Sequence, residues 1–380
     1  MNKYKTTIDF IRKLYDNRDV IHLHEPKFDG NEIEYLKNCI ESTFVSSIGN
    51  YITKFEKKLA NFFGVNHVIL CVNGTNSIHL SLLLADVNKN DEVLTQALTF
   101  IATTNAISYT NAIPVFIDVD KDTMGMSPKS LKLFLSKNTY FKNGKCYNKI
   151  SNRKISACLP MHSFGRATRI DEIKQICDEY KINLVEDAAE AMGSYYKSQH
   201  LGSFGKIGVV SFNGNKIMTT GGGGAILTND SSIAEMAKHL STQAKKPHLW
   251  EYKHDKIGYN YRMPNLNAAL GLAQFEQLEY FLERKRILAN LYKDFFKDEK
   301  IDFLYERNNE KTNFWLNCII LNNKNERDQF LRETNNAGIR TRPAWDLVTN
   351  TRMYKDFYKN EITNSIWLSD RIVNLPSSVI

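Results

Sequence analysis

The chain has 380 residues, of which 42% are hydrophobic and 24% charged, and a formal net charge of +8 at pH 7. It is long enough for more than one domain and has the composition of an ordinary globular protein, which sets aside disordered, fibrous and disulfide-scaffold classes. The first twenty residues are charged and lack an apolar stretch, no run is long enough to span a membrane, and the six cysteines show no CxxC or Cys/His clustering; a cytoplasmic protein without signal peptide or metal site is expected.

The lysine excess is spread over the whole chain. It reads as a solvated surface rather than a nucleic-acid face, and it suits an anionic small substrate equally well. The segment up to about residue 50 is polar and mixed. Within it the spacing of Ile33, Leu36, Cys39 and Ile40 predicts a helix, and Ile52, Phe55, Leu59, Phe62 and Phe63 predict another that stops at Gly64. Apolar runs at residues 67–72, 92–99, 114–119 and 155–161, and three more centred on Leu184, Val209 and Ile226, predict strands. Helices are expected between them at 78–85, from 101, at 128–135 behind a Ser127 cap, and at 169–180. Residues 136–153 form a polar insertion whose Asn143-Gly144 marks a turn. This alternation predicts a largely parallel sheet covered on both faces. Residues 265–297 read as one long connector helix, followed by a strand-like run at 314–321 and a helix at 326–337. The chain divides into residues 1–255, an N-terminal segment with a large domain, and residues 256–380, a connector helix with a small C-terminal domain.

Several stretches could carry chemistry. Asn73-Gly74-Thr75-Asn76 lies where a strand gives way to a helix, and a helix N-terminus suits a phosphate; alone, the stretch is equally an ordinary N-cap. No GxxxxGK[ST] and no strand-borne GxGxxG is present. Asp187 closes a strand, where it could face a pyridine nitrogen and keep it protonated; alone, it reads as a helix cap. Lys216, ahead of the glycine run 221–224, could act as a Schiff-base amine; alone, it reads as a loop lysine. Ser211 lies near enough in sequence to help hold a phosphate. Phe100 could stack on a ring or simply pack in the core. His162 reads as a structural histidine.

In order and together, these motifs resemble the DegT/StrS family of pyridoxal-phosphate-dependent nucleotide-sugar aminotransferases. The resemblance rests on Asn73-Gly74-Thr75, residues 99–103, Glu186-Asp187-Ala188-Ala189, Ser211-Phe212 with Lys216, Thr219-Thr220-Gly221 with Gly223-Gly224, residues 258–263, and Ala268-Ala269-Leu270-Gly271. It implies an α/β fold of fold-type-I, aspartate-aminotransferase-like architecture: a large domain on a mostly parallel seven-stranded sheet and a smaller α+β C-terminal domain. It implies pyridoxal 5′-phosphate as cofactor, with pyridoxamine 5′-phosphate as its half-reaction form. Lys216 would bind the cofactor covalently and Asp187 would pair with its nitrogen. Gly74, Thr75, Asn76 and Ser211 would hold the phosphate, Phe100 would cover one ring face, and Asn260 would reach the cofactor of a second subunit in a homodimer.

Two positions depart from the family pattern. Glu190 stands where relatives often carry Gln or His near the cofactor's phenolic oxygen, so its carboxyl is expected to be protonated or turned away. Arg342, in Arg340-Thr341-Arg342-Pro343, stands near a position where a histidine is common; it could bind substrate or be a surface residue. The N-terminal residues 24–47 resemble the branch acting on legionaminic-acid-type sugars. The expected reaction moves the amino group of L-glutamate, leaving 2-oxoglutarate, to C4 of a UDP-linked 4-keto-6-deoxy sugar in bacterial surface-glycan (lipopolysaccharide O-antigen) synthesis. GDP- or dTDP-linked keto sugars, aminated at C3 or C4, are the alternative, and a cofactor-binding sensor without turnover is a third reading.

Overall fold

The computed structural model describes residues 3–380. Its centre is a seven-stranded sheet in the order His67–Cys71, Gly224–Thr228, Ile207–Ser211, Asn183–Asp187, Ile155–Leu159, Glu92–Gln96 and Ile113–Ile117. All neighbours pair in parallel except Gly224–Thr228, which runs antiparallel to both of its partners. All seven predicted strands are present. They were legible because a sheet covered on both faces needs apolar side chains at successive positions. The two faces separate cleanly: Leu70, Leu94 and Val210 enter one hydrophobic cluster, while Ile69, Val93 and Val209 enter the other.

The helices between the strands follow the same logic. Ser127 caps Pro128–Asn138 by accepting the Ser130 N–H, and Gly64 ends Asn50–Phe63 in the left-handed conformation at φ 65°. The insertion forms a hairpin, Thr139–Lys142 with Lys145–Asn148, turning at Asn143 and Gly144. The expected single connector is two helices, Asn265–Glu276 and Leu278–Asp298, hinged at Gln277. The Gln277 amide turns aside to donate to Glu32 Oε1 at 2.8 Å.

The C-terminal part builds a four-stranded antiparallel sheet, in the order Asp302–Phe303, Asn317–Ile320, Ile372–Leu375, Arg342–Pro343. Its core takes in a helix that the polar look of the N-terminal segment hid. Lys5–Leu14 packs Ile8 and Ile11, with flanking Tyr4 and Tyr15, against Leu288, Tyr292, Phe296 and Ile319. By packing, this first helix therefore belongs with the C-terminal unit.

Six strands that run in the same direction deliver their carboxyl ends to one edge of the large sheet, where ligands of such sheets bind. Gly224 opens the antiparallel strand at that same edge, opposite Cys71 and Ser211. A Cβ there would lie 2.6 Å from the Asn73 carbonyl carbon and 2.7 Å from the Gly74 nitrogen, so only glycine lets this strand press on the Asn73–Gly74 turn. Gly222, two residues earlier, would meet nothing closer than 3.7 Å. Gly224→Ala is therefore expected to destabilise the protein by about 1–3 kcal/mol through overpacking, and Gly222→Ala to change stability by far less. Urea unfolding of the two variants checks this.

Candidate active site

At this edge lies a cleft of about 380 Å³, and Gly74, Thr75, Phe100, Asp187, Glu190, Ser211 and Lys216 all line it. The strand alternation sorts the acidic pair at the end of Asn183–Asp187, because successive side chains point to opposite faces. Glu186 turns away and accepts from the backbone N–H groups of Gly202, Phe204 and Gly205, with His162 Nε2 at 3.1 Å. Glu186 and His162 are thus a buried structural pair, as the sequence suggested for the histidine. Asp187 turns into the cleft. Its Oδ2 accepts from the Thr103 hydroxyl at 2.7 Å and its Oδ1 from the Ala189 N–H at 3.1 Å. Burial pushes the Asp187 carboxyl above the usual carboxylate range, against the pull of those two donors and of the Lys216 and His162 charges.

Lys216 follows the strand Ile207–Ser211 in a tight turn that its N–H closes on the Asn213 carbonyl oxygen at 2.9 Å. Its Nζ donates to Glu190 Oε1 at 3.2 Å and lies 4.2 Å from the centre of the Trp315 ring. Glu190 Oε2 accepts the Phe164 N–H at 2.8 Å. The carboxyl of Glu190 is therefore turned inward, toward the lysine, and burial pushes its pKa up to about 7 against the pull of Lys216 and that N–H. Of the two alternatives expected for Glu190, protonated or turned away, the structure does not show the second.

The helix Gly74–Leu84 starts at the cleft, four residues earlier than its apolar spacing suggested. Asn73 caps it, accepting the Asn76 N–H on Oδ1 at 2.8 Å, and its carbonyl oxygen takes the Ser77 N–H at 3.1 Å. That leaves the Gly74 and Thr75 N–H groups to face an anion, beside the Ser211 side chain. Asn76 itself does not line the cleft, and its N–H is already committed to the cap. Phe100 stands at the start of Ile101–Tyr109, 45% exposed, with its ring 6.0 Å from Trp345.

Besides Asn76, two more expected site residues lie outside the cleft. Asn260 is exposed, on a loop bridged to Thr242, and does not line its own cleft. Arg342 is exposed as well, but it lines a larger neighbouring cavity of about 740 Å³ that shares Asn215, Trp315 and Trp345 with the cleft. His24 and Arg340 line that second cavity too. Both ring nitrogens of His24 are buried without a hydrogen-bond partner. Burial, followed by the Lys285 and Lys216 charges, holds its pKa well below the ordinary histidine value. Among the described residues, no group of three or more His, Cys, Asp or Glu side chains is placed to hold a metal.

A family model described as the DegT/DnrJ/EryC1/StrS aminotransferase family matches residues 26–379. The chain belongs to this family. It is 37% identical to the GDP-perosamine synthase of Escherichia coli O157:H7, over 94% of this chain and 93% of that one. It is 33% identical to the GDP-perosamine synthase of Vibrio cholerae, over 94% of each. Among solved structures, a DegT DnrJ EryC1 StrS aminotransferase from Brucella abortus superposes with a TM-score of 0.83 at 25% identity, covering 91% of this chain and 90% of that one. The chain is a nucleotide-sugar aminotransferase of fold-type-I architecture, and its cofactor is pyridoxal 5′-phosphate. The cleft fits that group: a buried carboxylate, an amine and a helix N-terminus with uncommitted N–H groups surround it, and an aromatic ring forms one wall.

Sequence reasoning missed the residues that hold these groups in place. Thr103 lay inside a quoted motif, and its spacing of four from Thr99, whose hydroxyl it meets at 2.9 Å, was the available signal. Trp315 and Trp345 come from the C-terminal unit, and nothing local in sequence ties them to Lys216.

Glu190 also yields a stability test. Its folded pKa of about 7 lies above its ordinary 4.5. The stability linked to it is therefore fully present below about pH 4.5 and is lost as pH rises through about 7. Compared with Glu190→Gln, the cofactor-free wild type is expected to lose on the order of 3 kcal/mol across that window. Urea unfolding at a series of pH values measures the difference.

Proposed function

We propose that the chain transfers the amino group of L-glutamate to C4 of a nucleotide-linked 4-keto-6-deoxy sugar, in the cytoplasm, for a bacterial surface glycan such as a lipopolysaccharide O-antigen. The supporting observation is the convergence of Lys216, Asp187 and the Gly74–Thr75 turn on one cleft, reached beside a larger cavity bearing Arg340 and Arg342. When bound, the cofactor supplies an electron sink for charge developing at the carbon that loses its proton. Asp187 accepts a hydrogen bond from the ring nitrogen and, as an anion, keeps the proton there. The N–H groups of Gly74 and Thr75, with the Thr75 and Ser211 hydroxyls, hold the phosphate. Phe100 covers one ring face. Lys216, as a free amine, takes a proton from one carbon and returns it to another, acting as base and then as acid. Trp315 and Trp345 keep water from that transfer.

In this reading residues 1–255 carry the cofactor, while residues 256–380 supply Trp315, Trp345 and Arg342 and wall the sugar site. Arg342 meets the phosphate or sugar oxygens of the substrate. Asn260 serves the cofactor phosphate of a second subunit. Its position outside its own cleft supports this, as do Leu249, Trp250 and Ile257 in the preceding loop, exposed by 92%, 73% and 84%. For the carrier, the two relatives named GDP-perosamine synthase favour guanosine diphosphate over the uridine diphosphate expected from residues 24–47. No helix among the described residues is long and apolar enough to cross a membrane.

Purified protein given L-glutamate alone is expected to release 2-oxoglutarate, one equivalent per site, which a sensor without turnover does not do. A panel of GDP-, UDP- and dTDP-linked 4-keto-6-deoxy sugars, with products read by NMR, is expected to show amination at C4 with the GDP sugar preferred. Turnover of the UDP sugar alone overturns the guanosine assignment, and a product aminated at C3 overturns the ring position. Lys216→Ala is expected to abolish both half-reactions.

A further inference from the structure

Lys216 faces a difficulty that its assignment as the cofactor lysine leaves open. A lysine attacks a carbonyl carbon only as the neutral amine, and an ammonium has no lone pair to offer. We propose that Glu190 is the group that takes the proton from Lys216 when the cofactor is captured, and that it keeps this proton while the cofactor stays bound. The inference rests on the reading of Lys216 as the cofactor lysine.

The geometry allows one direct acceptor. Glu190 Oε1 is 3.2 Å from Lys216 Nζ, and the carboxyl cannot swing away, because its other oxygen holds the Phe164 N–H at 2.8 Å. The Glu190 backbone is pinned as well, its carbonyl oxygen accepting from Asn313 Nδ2 at 2.8 Å. On its other side the Lys216 ammonium lies against the Trp315 ring, whose indole N–H is fixed on the Asn215 carbonyl oxygen at 2.7 Å. Asp187 is the other carboxylate lining the cleft, and its two oxygens already serve Thr103 and Ala189.

The chemistry balances within the pair. The Nζ–H bond breaks, its electron pair stays on nitrogen, and an Oε1–H bond forms. An ammonium and a carboxylate become an amine and a carboxylic acid, so two opposite charges disappear from a site that solvates neither well. The nitrogen lone pair then bonds to the carbonyl carbon, and the two hydrogens left on Nζ depart with the carbonyl oxygen as water. The protonated Glu190 is then a donor rather than a second negative charge beside the cofactor ring. That resolves the mismatch of a carboxylate at this position. Burial favours the same outcome, since it raises the proton affinity of Glu190 to a pKa of about 7. The titratable groups facing the pair are few. Asp187 stands on the same strand end, His24 on the N-terminal segment is held well below its ordinary pKa by burial and then by the Lys285 and Lys216 charges, and the Cys318 thiol, pushed up to about 12 by burial, stays neutral on the small sheet.

The test is the rate at which cofactor-free protein captures pyridoxal 5′-phosphate, followed by absorbance from pH 5.5 to 9, in wild type, Glu190→Gln and Glu190→Asp. The glutamine keeps the shape and an acceptor for Phe164 but takes no proton. Wild type is expected to capture at a rate that falls below about pH 7 and levels off above it. Glu190→Gln is expected to be slower by about 100-fold or more at pH 7, and to climb tenfold per pH unit with no levelling. Glu190→Asp should lie between them. A merely structural role for Glu190 would shift melting temperature and cofactor affinity while leaving the shape of the pH profile alone. Equal rates and equal profiles in wild type and Glu190→Gln overturn the inference. Borohydride reduction and peptide mapping run alongside separate the two layers of the argument. A label on a residue other than Lys216 in wild type overturns the functional reading, whereas a label on Lys216 at unchanged rates overturns only the part played by Glu190.

Discussion

One carboxylate, Glu190, pairs with the Lys216 ammonium, and a second, Asp187, lies in the same cleft on hydrogen-bond donors of its own. A buried charge without partners costs several kcal/mol, so the surrounding structure must answer each of these three groups. Thr103 and the Ala189 N–H answer Asp187, the Phe164 N–H answers Glu190, and the Trp315 ring answers Lys216. Phe164 shows how firmly this is built in. It holds a left-handed backbone, φ 56°, that a bulky residue avoids. That backbone aims its N–H at Glu190, and its side chain is buried and stacked 4.5 Å from Trp345. Packing thus holds a strained residue in the one place where its N–H is needed.

The fold accounts for where this happens. Parallel strands end together at one edge, so Asp187, at the end of one of them, meets Phe100 and Lys216 from the loops that leave two others. The antiparallel strand Gly224–Thr228 presses the Asn73–Gly74 turn into position, at the expense of allowing only glycine at its first residue. The C-terminal unit then closes the cleft with two tryptophans and leaves a second, cationic cavity beside it. Two cavities that share a wall suit the proposed group transfer, because the group would pass between them without meeting bulk water.

The strand pattern was readable residue by residue, since burial on both faces leaves little room for polar side chains. The residues proposed to anchor the cofactor stood out only as a set: Asp187 alone resembles a cap and Lys216 a loop lysine. The first helix was hidden although its apolar residues, Tyr4, Ile8, Ile11 and Tyr15, keep a helical spacing, because the charges between them set the tone of the segment. The break at Gln277 was invisible because neither glycine nor proline stands near it to stop a helix; a tertiary hydrogen bond to Glu32 marks the spot. Trp315 was lost inside a strand-like run, 314–321, whose strand begins only at Asn317, after the left-handed Phe314, φ 47°. The direction of Glu190 had no local signal at all, since its partners lie 26 residues away on either side.

The central claim is that Asp187 and Lys216 hold opposite ends of one ring, with the Gly74–Thr75 turn on its phosphate. A crystal structure of the protein loaded with pyridoxal 5′-phosphate and reduced with borohydride tests all three contacts at once. Continuous density from Lys216 Nζ to the cofactor, an Asp187 carboxylate oxygen within hydrogen-bond distance of the ring nitrogen, and the phosphate on the Gly74 and Thr75 N–H groups is the expected result. A ring bound to another lysine, or one whose nitrogen faces away from Asp187, contradicts it.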